Sequence, residues 1–192
     1  MGGIEWHISP GALLVFALLY FFDEDGLYAA LLPAVAVHEA GHWLFLRLGG
    51  LRLRRMSLGF FGMEMDYRGS LGGAMGALAI VAGPVFGLAY SALVFSENEY
   101  LRLSGGISLA LSIFNLLPVL PLDGGRLVAL AARERAEAIS RGISLALAAI
   151  GAYLWLTQGW FSVFAMGAWL AWWNHRGIRR ARRPRRAVRY SE

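Results

Sequence analysis

The feature that most constrains this 192-residue chain is an H-E-x-x-H motif, His38 to His42, embedded in a long apolar run. Between residues 26 and 46, Glu39 is the one residue with a formal charge. As a helix this segment would be about 30 Å long, which matches the hydrocarbon thickness of a bilayer. An ionisable residue near the bilayer centre costs about 2.5 to 3.5 kcal/mol on insertion scales. The motif therefore requires a compensating interaction.

A bound metal ion would provide that interaction. Two histidines four positions apart on a helix project from one face, so His38 and His42 can bind a single Zn²⁺. Glu39 then lies beside the metal without binding it, where a carboxylate can take a proton from water that attacks a carbonyl carbon. The pattern favours amide hydrolysis. The alternative is a chance match on a solvated helix face, which the apolar flanks disfavour.

Composition predicts an integral membrane protein. Hydrophobic residues make up 57% of the chain, charged residues make up 16%, and the mean hydropathy is +0.51. With no cysteine in the sequence, metal ligands must be His, Asp or Glu. The net charge of +5 comes with 18 basic residues that are all arginine. Most of these flank apolar segments, so membrane orientation explains them better than a nucleic-acid partner does.

The apolar stretches predict an all-α membrane protein with about six transmembrane helices. A Gly-rich segment with alternating apolar residues, 48–69, predicts a short β-hairpin or re-entrant loop after the second helix. A turn at residues 157–159 divides the last apolar stretch, because one helix of that length would overshoot the bilayer. The predicted spans are 11–22, 26–47, 71–95, 103–122 and two within 142–173.

The distribution of arginine predicts the orientation. If the Arg-rich C-terminus is cytoplasmic, six crossings place nearly every arginine on that side, as the positive-inside rule expects. Both termini would then face the cytoplasm, in what we expect to be a bacterial cell membrane. Residues 177–192 form a basic tail that we interpret as a membrane anchor.

A zinc hydrolase site usually has three protein ligands and one open position for water. Asp123 is the favoured third ligand, because it follows a long apolar segment near a predicted helix break. Gly124 and Gly125 would allow a close approach of the backbone there. The other acidic or histidine candidates are better explained as interfacial or solvated residues: His7, Glu64, Asp66 and His175.

Three motifs in this order resemble the site-2 proteases, the intramembrane zinc metalloproteases of peptidase family M50. They are the H-E-A-G-H sequence from His38 to His42, Ala82-Gly83-Pro84, and the sequence NLLPVLPLDGGR over residues 115–126. The chain is most similar to the sporulation factor IV FB branch of that family. The resemblance implies that His38, His42 and Asp123 bind one Zn²⁺, that Glu39 is the catalytic carboxylate and that Asn115 helps to position substrate.

The resemblance also implies a function. We expect residues 1–176 to form a polytopic endopeptidase domain, without a CBS or PDZ domain, that cleaves a protein in or near its membrane-associated segment. A pro-sigma factor or another membrane-held regulator would fit, with release of a cytoplasmic fragment and control by membrane inhibitors. The predicted hairpin could pair with extended substrate, or could be a structural re-entrant loop. The alternative function is a non-proteolytic membrane metal-binding protein or a divalent-metal transporter.

Overall fold

The structure is a computed structural model that describes residues 5–10, 13–14, 17, 21, 23, 26–59, 62–68, 71 and 73–181. The chain divides into two compact units, Met1–Leu116 and Leu117–Glu192. Most of the predicted first span, 11–22, lies outside the described residues, and so does most of the basic tail.

The first unit contains three described helices: α1 (Leu27–Leu48), α2 (Gly73–Tyr90) and α3 (Glu99–Asn115). A 3₁₀ helix, Ser91–Phe95, follows α2 directly. Helix α1 begins after Gly26, whose φ of 69° is in the left-handed region that glycine adopts readily. Helix α3 begins after Asn98, whose side chain accepts a hydrogen bond from the backbone N–H of Leu101 and so caps the first turn.

Helices α1 and α2 pack closely because small residues line their contact. A Cβ added to Gly41 would lie 2.5 Å from the carbonyl oxygen of Ala82, so the two backbones touch at this point. Helix α3 is joined to both neighbours by buried hydroxyl groups. Ser104 Oγ donates to the carbonyl oxygen of Ala30 at 2.8 Å, and Ser108 Oγ donates to that of Gly87 at 2.9 Å. Small residues and interhelical hydrogen bonds are typical of helices that associate in lipid.

A three-stranded sheet completes the first unit. Strands β2 (Arg52–Gly59) and β3 (Gly62–Arg68) form an antiparallel hairpin, which confirms the β-hairpin interpretation of this segment. Strand β1 (Glu5–Ile8) pairs in parallel with the other side of β2, giving the order β1-β2-β3. The all-α description is therefore too simple. The sequence gives little sign of β1, because its pairing partner lies some fifty positions away, with Glu5 opposite Arg55.

The second unit contains α4 (Asp123–Ala131), α5 (Arg133–Gln158) and α6 (Phe161–Ala181). The turn predicted at residues 157–159 is confirmed, with Gly159 at a φ of 75° between α5 and α6. The predicted span 103–122 is too long, because α3 ends at Asn115 and the next helix begins at Asp123. Pro118 and Pro121 explain the difference, since the residue before a proline is disfavoured in a helix.

Three of the described helical segments are long and apolar enough to cross a membrane: Leu27–Leu48, Gly73–Phe95 and Arg133–Gln158. They correspond to the second, third and fifth predicted spans. The total of six spans remains a prediction.

The packing of α5 against α6 yields a stability prediction. A Cβ at Gly151 would lie 2.7 Å from the Cα of Phe164, whereas a Cβ at Gly142 of the same helix would meet nothing within 4 Å. Gly151→Ala should lower the free energy of unfolding by about 1 to 3 kcal/mol through overpacking. Gly142→Ala should raise it by about 0.5 to 1 kcal/mol, because alanine favours a helix. Thermal unfolding in detergent measures both, and equal shifts in Tm would contradict the packing described here.

Candidate metal centre

The two histidines of the motif form a pair on the inner face of α1. Both side chains are buried, and their rings meet edge to face with centroids 4.9 Å apart. Their Nε2 atoms are 3.2 Å apart. Two imidazole nitrogens bound to one tetrahedral zinc at about 2.0 to 2.1 Å would be separated by about 3.3 to 3.4 Å. The pair is therefore already close to the spacing that one zinc ion requires.

The hydrogen bond of His42 fixes which nitrogen is available to a metal. Its Nδ1 lies 2.8 Å from the carbonyl oxygen of Ala79 in α2. A carbonyl oxygen can only accept, so Nδ1 carries the proton and donates. The neutral ring then has its lone pair on Nε2, the atom that faces His38. An outer hydrogen bond of this kind orients a metal-binding histidine and increases its basicity.

Gly83 provides the space that the His42 ring occupies. A Cβ at this position would lie 2.1 Å from Nε2 of His42 and 2.4 Å from Cε1. Any larger residue would displace the imidazole from its place against α2. The sequence resemblance included Gly83 in the Ala82-Gly83-Pro84 motif, but it did not reveal this function. A glycine beside a proline within an apolar helix was the available signal.

Asp123 is the first residue of α4, in the second unit, and its side chain is buried. A carboxylate in the first turn of a helix interacts favourably with the helix dipole. Its Oδ1 lies 3.6 Å from Nη1 of Arg126, one turn later in the same helix. Glu39 is half-buried on α1, next to His38 in the chain.

Among the residues described, His38 and His42 of the first unit each offer an imidazole nitrogen as a ligand atom, and Asp123 of the second unit offers a carboxylate oxygen. Two imidazoles and a carboxylate are a donor set that suits Zn²⁺. The residues present therefore fit the metal that the motif predicts.

Several other residues singled out in the sequence lie on α3, β1, β3 and α6. Asn115 is the last residue of α3, where its Nδ2 donates to the carbonyl oxygen of Leu111 at 3.0 Å. His7 is exposed in β1, Asp66 is exposed in β3 and His175 is exposed in α6. Exposure agrees with their interpretation as interfacial or solvated residues.

The sequence profile of Peptidase family M50 matches residues 70–157. Curated relatives match a wider part of the chain. Rip3 of Mycobacterium tuberculosis, named as a candidate zinc metalloprotease, is 31% identical over 150 residues, which cover 69% of this chain and 37% of Rip3. These matches support the assignment of this chain to peptidase family M50, the family of the site-2 proteases.

Two further comparisons agree with the M50 assignment. Stage IV sporulation protein FB of Bacillus subtilis is 29% identical over 134 residues, which cover 65% of this chain and 46% of that protein. The chain thus spans less than half the length of these curated relatives. The solved structure of the site-2 protease from Methanocaldococcus jannaschii shares the fold, with a TM-score of 0.64 and 21% identity. That match covers 92% of this chain and 91% of the solved one.

The contact between Gly83 and His42 yields a prediction about metal binding. Gly83→Ala should weaken zinc binding by about 10- to 100-fold, the usual effect of disturbing the support of a metal ligand. Gly106→Ala is the matched control, because a Cβ there would meet nothing within 4 Å. Zinc per chain, measured by mass spectrometry of purified protein, distinguishes the two variants. A native zinc content in Gly83→Ala would show that the imidazole does not depend on this glycine.

Proposed function

We propose that this protein is a zinc-dependent endopeptidase that cleaves a protein substrate in or near its membrane-associated segment. His38, His42 and Asp123 would hold one Zn²⁺, and Glu39 would be the catalytic carboxylate. The observation that carries the proposal is the 3.2 Å separation of two buried Nε2 atoms, on a helix long and apolar enough to cross a membrane.

Zinc in such a site polarises the carbonyl group of the substrate and lowers the pKa of water. Glu39 accepts a proton from the attacking water on a carboxylate oxygen while the new C–O bond forms. The same proton passes from Glu39 to the amide nitrogen as the C–N bond breaks. The first products are a carboxylic acid and an amine, and Glu39 is again ionised because it has passed its proton to the nitrogen. The second proton of the water then moves from the acid to the amine, which leaves a carboxylate and an ammonium group.

The surroundings of the motif suit these functions. His38 and His42 are buried, which limits the access of bulk water to them. Glu39 is half-buried, so its carboxylate can exchange protons with the water that attacks the substrate. Asn115 would help to position substrate. One N–H of its carboxamide is occupied by Leu111, and its oxygen and second N–H can bind the backbone of an extended peptide.

A peptide bond in a helix is shielded by its own hydrogen bonds, so cleavage requires an unwound substrate. An extended peptide can regain backbone hydrogen bonds by adding to the edge of a sheet. Because β1 occupies one side of β2, an added strand would pair with β3 or with the outer side of β1. Six spans with cytoplasmic termini would allow release of a cytoplasmic fragment from a membrane-held regulator, such as a pro-sigma factor.

Zinc content and hydrolysis together test this function. Native protein should hold about one zinc, His42→Ala and Asp123→Ala should lose it, and Glu39→Gln should retain it. Glu39→Gln should lower cleavage by about 10²- to 10⁴-fold, the usual contribution of a general acid–base residue. Labelled casein is a suitable first substrate, because its unfolded chain offers unshielded peptide bonds.

The outcomes separate the protease from a metal-binding or metal-transporting protein. Full zinc occupancy with equal cleavage by the native chain and Glu39→Gln would refute the catalytic assignment. Absence of zinc from well-folded native protein would refute the site itself.

A further inference from the structure

The loop that precedes Asp123 is held by side chains from two other helices of the second unit. Residues 117–122 are largely apolar, contain two prolines and include Val119, which is fully buried. A buried loop must find partners for its backbone N–H and C=O groups, because each unpaired group costs free energy comparable to a lost hydrogen bond. In this loop, both backbone groups of Leu120 are bonded to side chains.

Ser140 of α5 and Asn174 of α6 provide these partners. The N–H of Leu120 donates to Ser140 Oγ at 3.0 Å, and the carbonyl oxygen of Leu120 accepts from Asn174 Nδ2 at 2.8 Å. Both side chains are buried, with 1% of Ser140 and 7% of Asn174 exposed. Two helices thus direct buried polar groups to one loop residue whose own side chain is apolar.

The orientation of the Asn174 carboxamide is determined by its neighbours. Its Nδ2 donates to the carbonyl oxygen of Leu120 and also to that of Leu170, each at 2.8 Å. Carbonyl oxygens only accept, so the NH₂ group must point towards both. An ionised aspartate at this position would have no proton to donate and would face two carbonyl oxygens.

Leu120 is linked in turn to the helix turn that carries Asp123. A Cβ at Gly125 would lie 2.3 Å from the carbonyl carbon of Val119 and 2.4 Å from the backbone nitrogen of Leu120. The loop therefore folds directly onto the first turn of α4. The N–H of Leu122 donates to the carbonyl oxygen of Val119 at 2.9 Å and closes the turn immediately before Asp123.

We propose that Ser140 and Asn174 are positioning residues for the third metal ligand. They hold Leu120, and through it the first turn of α4, so that the Asp123 carboxylate has one orientation. This inference rests on the proposed function of Asp123 as a ligand. Residues that orient metal ligands from outside commonly change metal affinity by about 10- to 100-fold.

The test compares Ser140→Ala and Asn174→Asp with Ser144→Ala in the purified full chain. Ser144 is a matched control: it is a fully buried serine one turn further along α5, and its Oγ donates to the carbonyl oxygen of Arg141 in its own helix. Zinc affinity is measured by competition with a chromophoric chelator. The visible spectrum of the Co²⁺-substituted protein reports the ligand geometry, and thermal unfolding reports stability.

We expect Ser140→Ala and Asn174→Asp to weaken zinc binding by about 10- to 100-fold and to alter the Co²⁺ spectrum. Ser144→Ala should keep the native affinity and spectrum, even if its Tm falls as much as that of Ser140→Ala. That difference separates positioning from a general loss of stability.

Asp123→Ala makes the two possible failures distinguishable. If Asp123→Ala loses zinc while Ser140→Ala and Asn174→Asp keep the native affinity and spectrum, the positioning proposal is wrong and the ligand assignment stands. If Asp123→Ala retains zinc with an unchanged Co²⁺ spectrum, the ligand assignment is wrong and the positioning proposal fails with it.

Discussion

The hydrogen bond from Nδ1 of His42 to the carbonyl oxygen of Ala79 holds the imidazole against α2. The imidazole can reach this carbonyl only because α1 and α2 lie very close together. Gly41 allows the two backbones to touch, and Gly83 leaves room for the ring. These two glycines therefore allow both the close spacing of the two helices and the orientation of the histidine ring.

Helix α3 holds this close pair of helices in place through hydroxyl groups. Ser104, Ser108 and Ser112 recur every four residues and are all buried, and the first two donate to backbone carbonyl oxygens of α1 and α2. Ser112 lies against Gly87, where a Cβ would be 2.2 Å from its Oγ. Lipid tails are as apolar as the side chains, so moving an apolar side chain from lipid into a helix contact gains little free energy. Hydroxyl–carbonyl hydrogen bonds and close packing of small residues therefore contribute more to helix association in lipid than in water.

The sequence predicted those elements whose structure depends on residues close together in the chain. The motif helix followed from an apolar run with histidines four positions apart, and the turn at Gly159 followed from the length of the last apolar stretch. Contacts between residues far apart in the sequence could not be predicted. Strand β1 needs a partner some fifty positions away, and the contacts of Ser140 and Asn174 with Leu120 join segments 20 and 54 residues apart. A single serine or asparagine in an apolar helix carries no sign of its partner.

The contacts that hold the His42 ring also help to distinguish a metal transporter from a metal-dependent hydrolase. A transporter must release its metal, which favours ligands that can reorient between states. Here the ring is fixed on one side by Ala79 and on another by Gly83, while its Nε2 faces His38 at close to the spacing for one bound zinc. Fixed ligands bind a metal without reorganisation, and an outer hydrogen bond makes the imidazole a stronger donor. These properties favour a resident metal beside Glu39, which is the arrangement that hydrolysis requires.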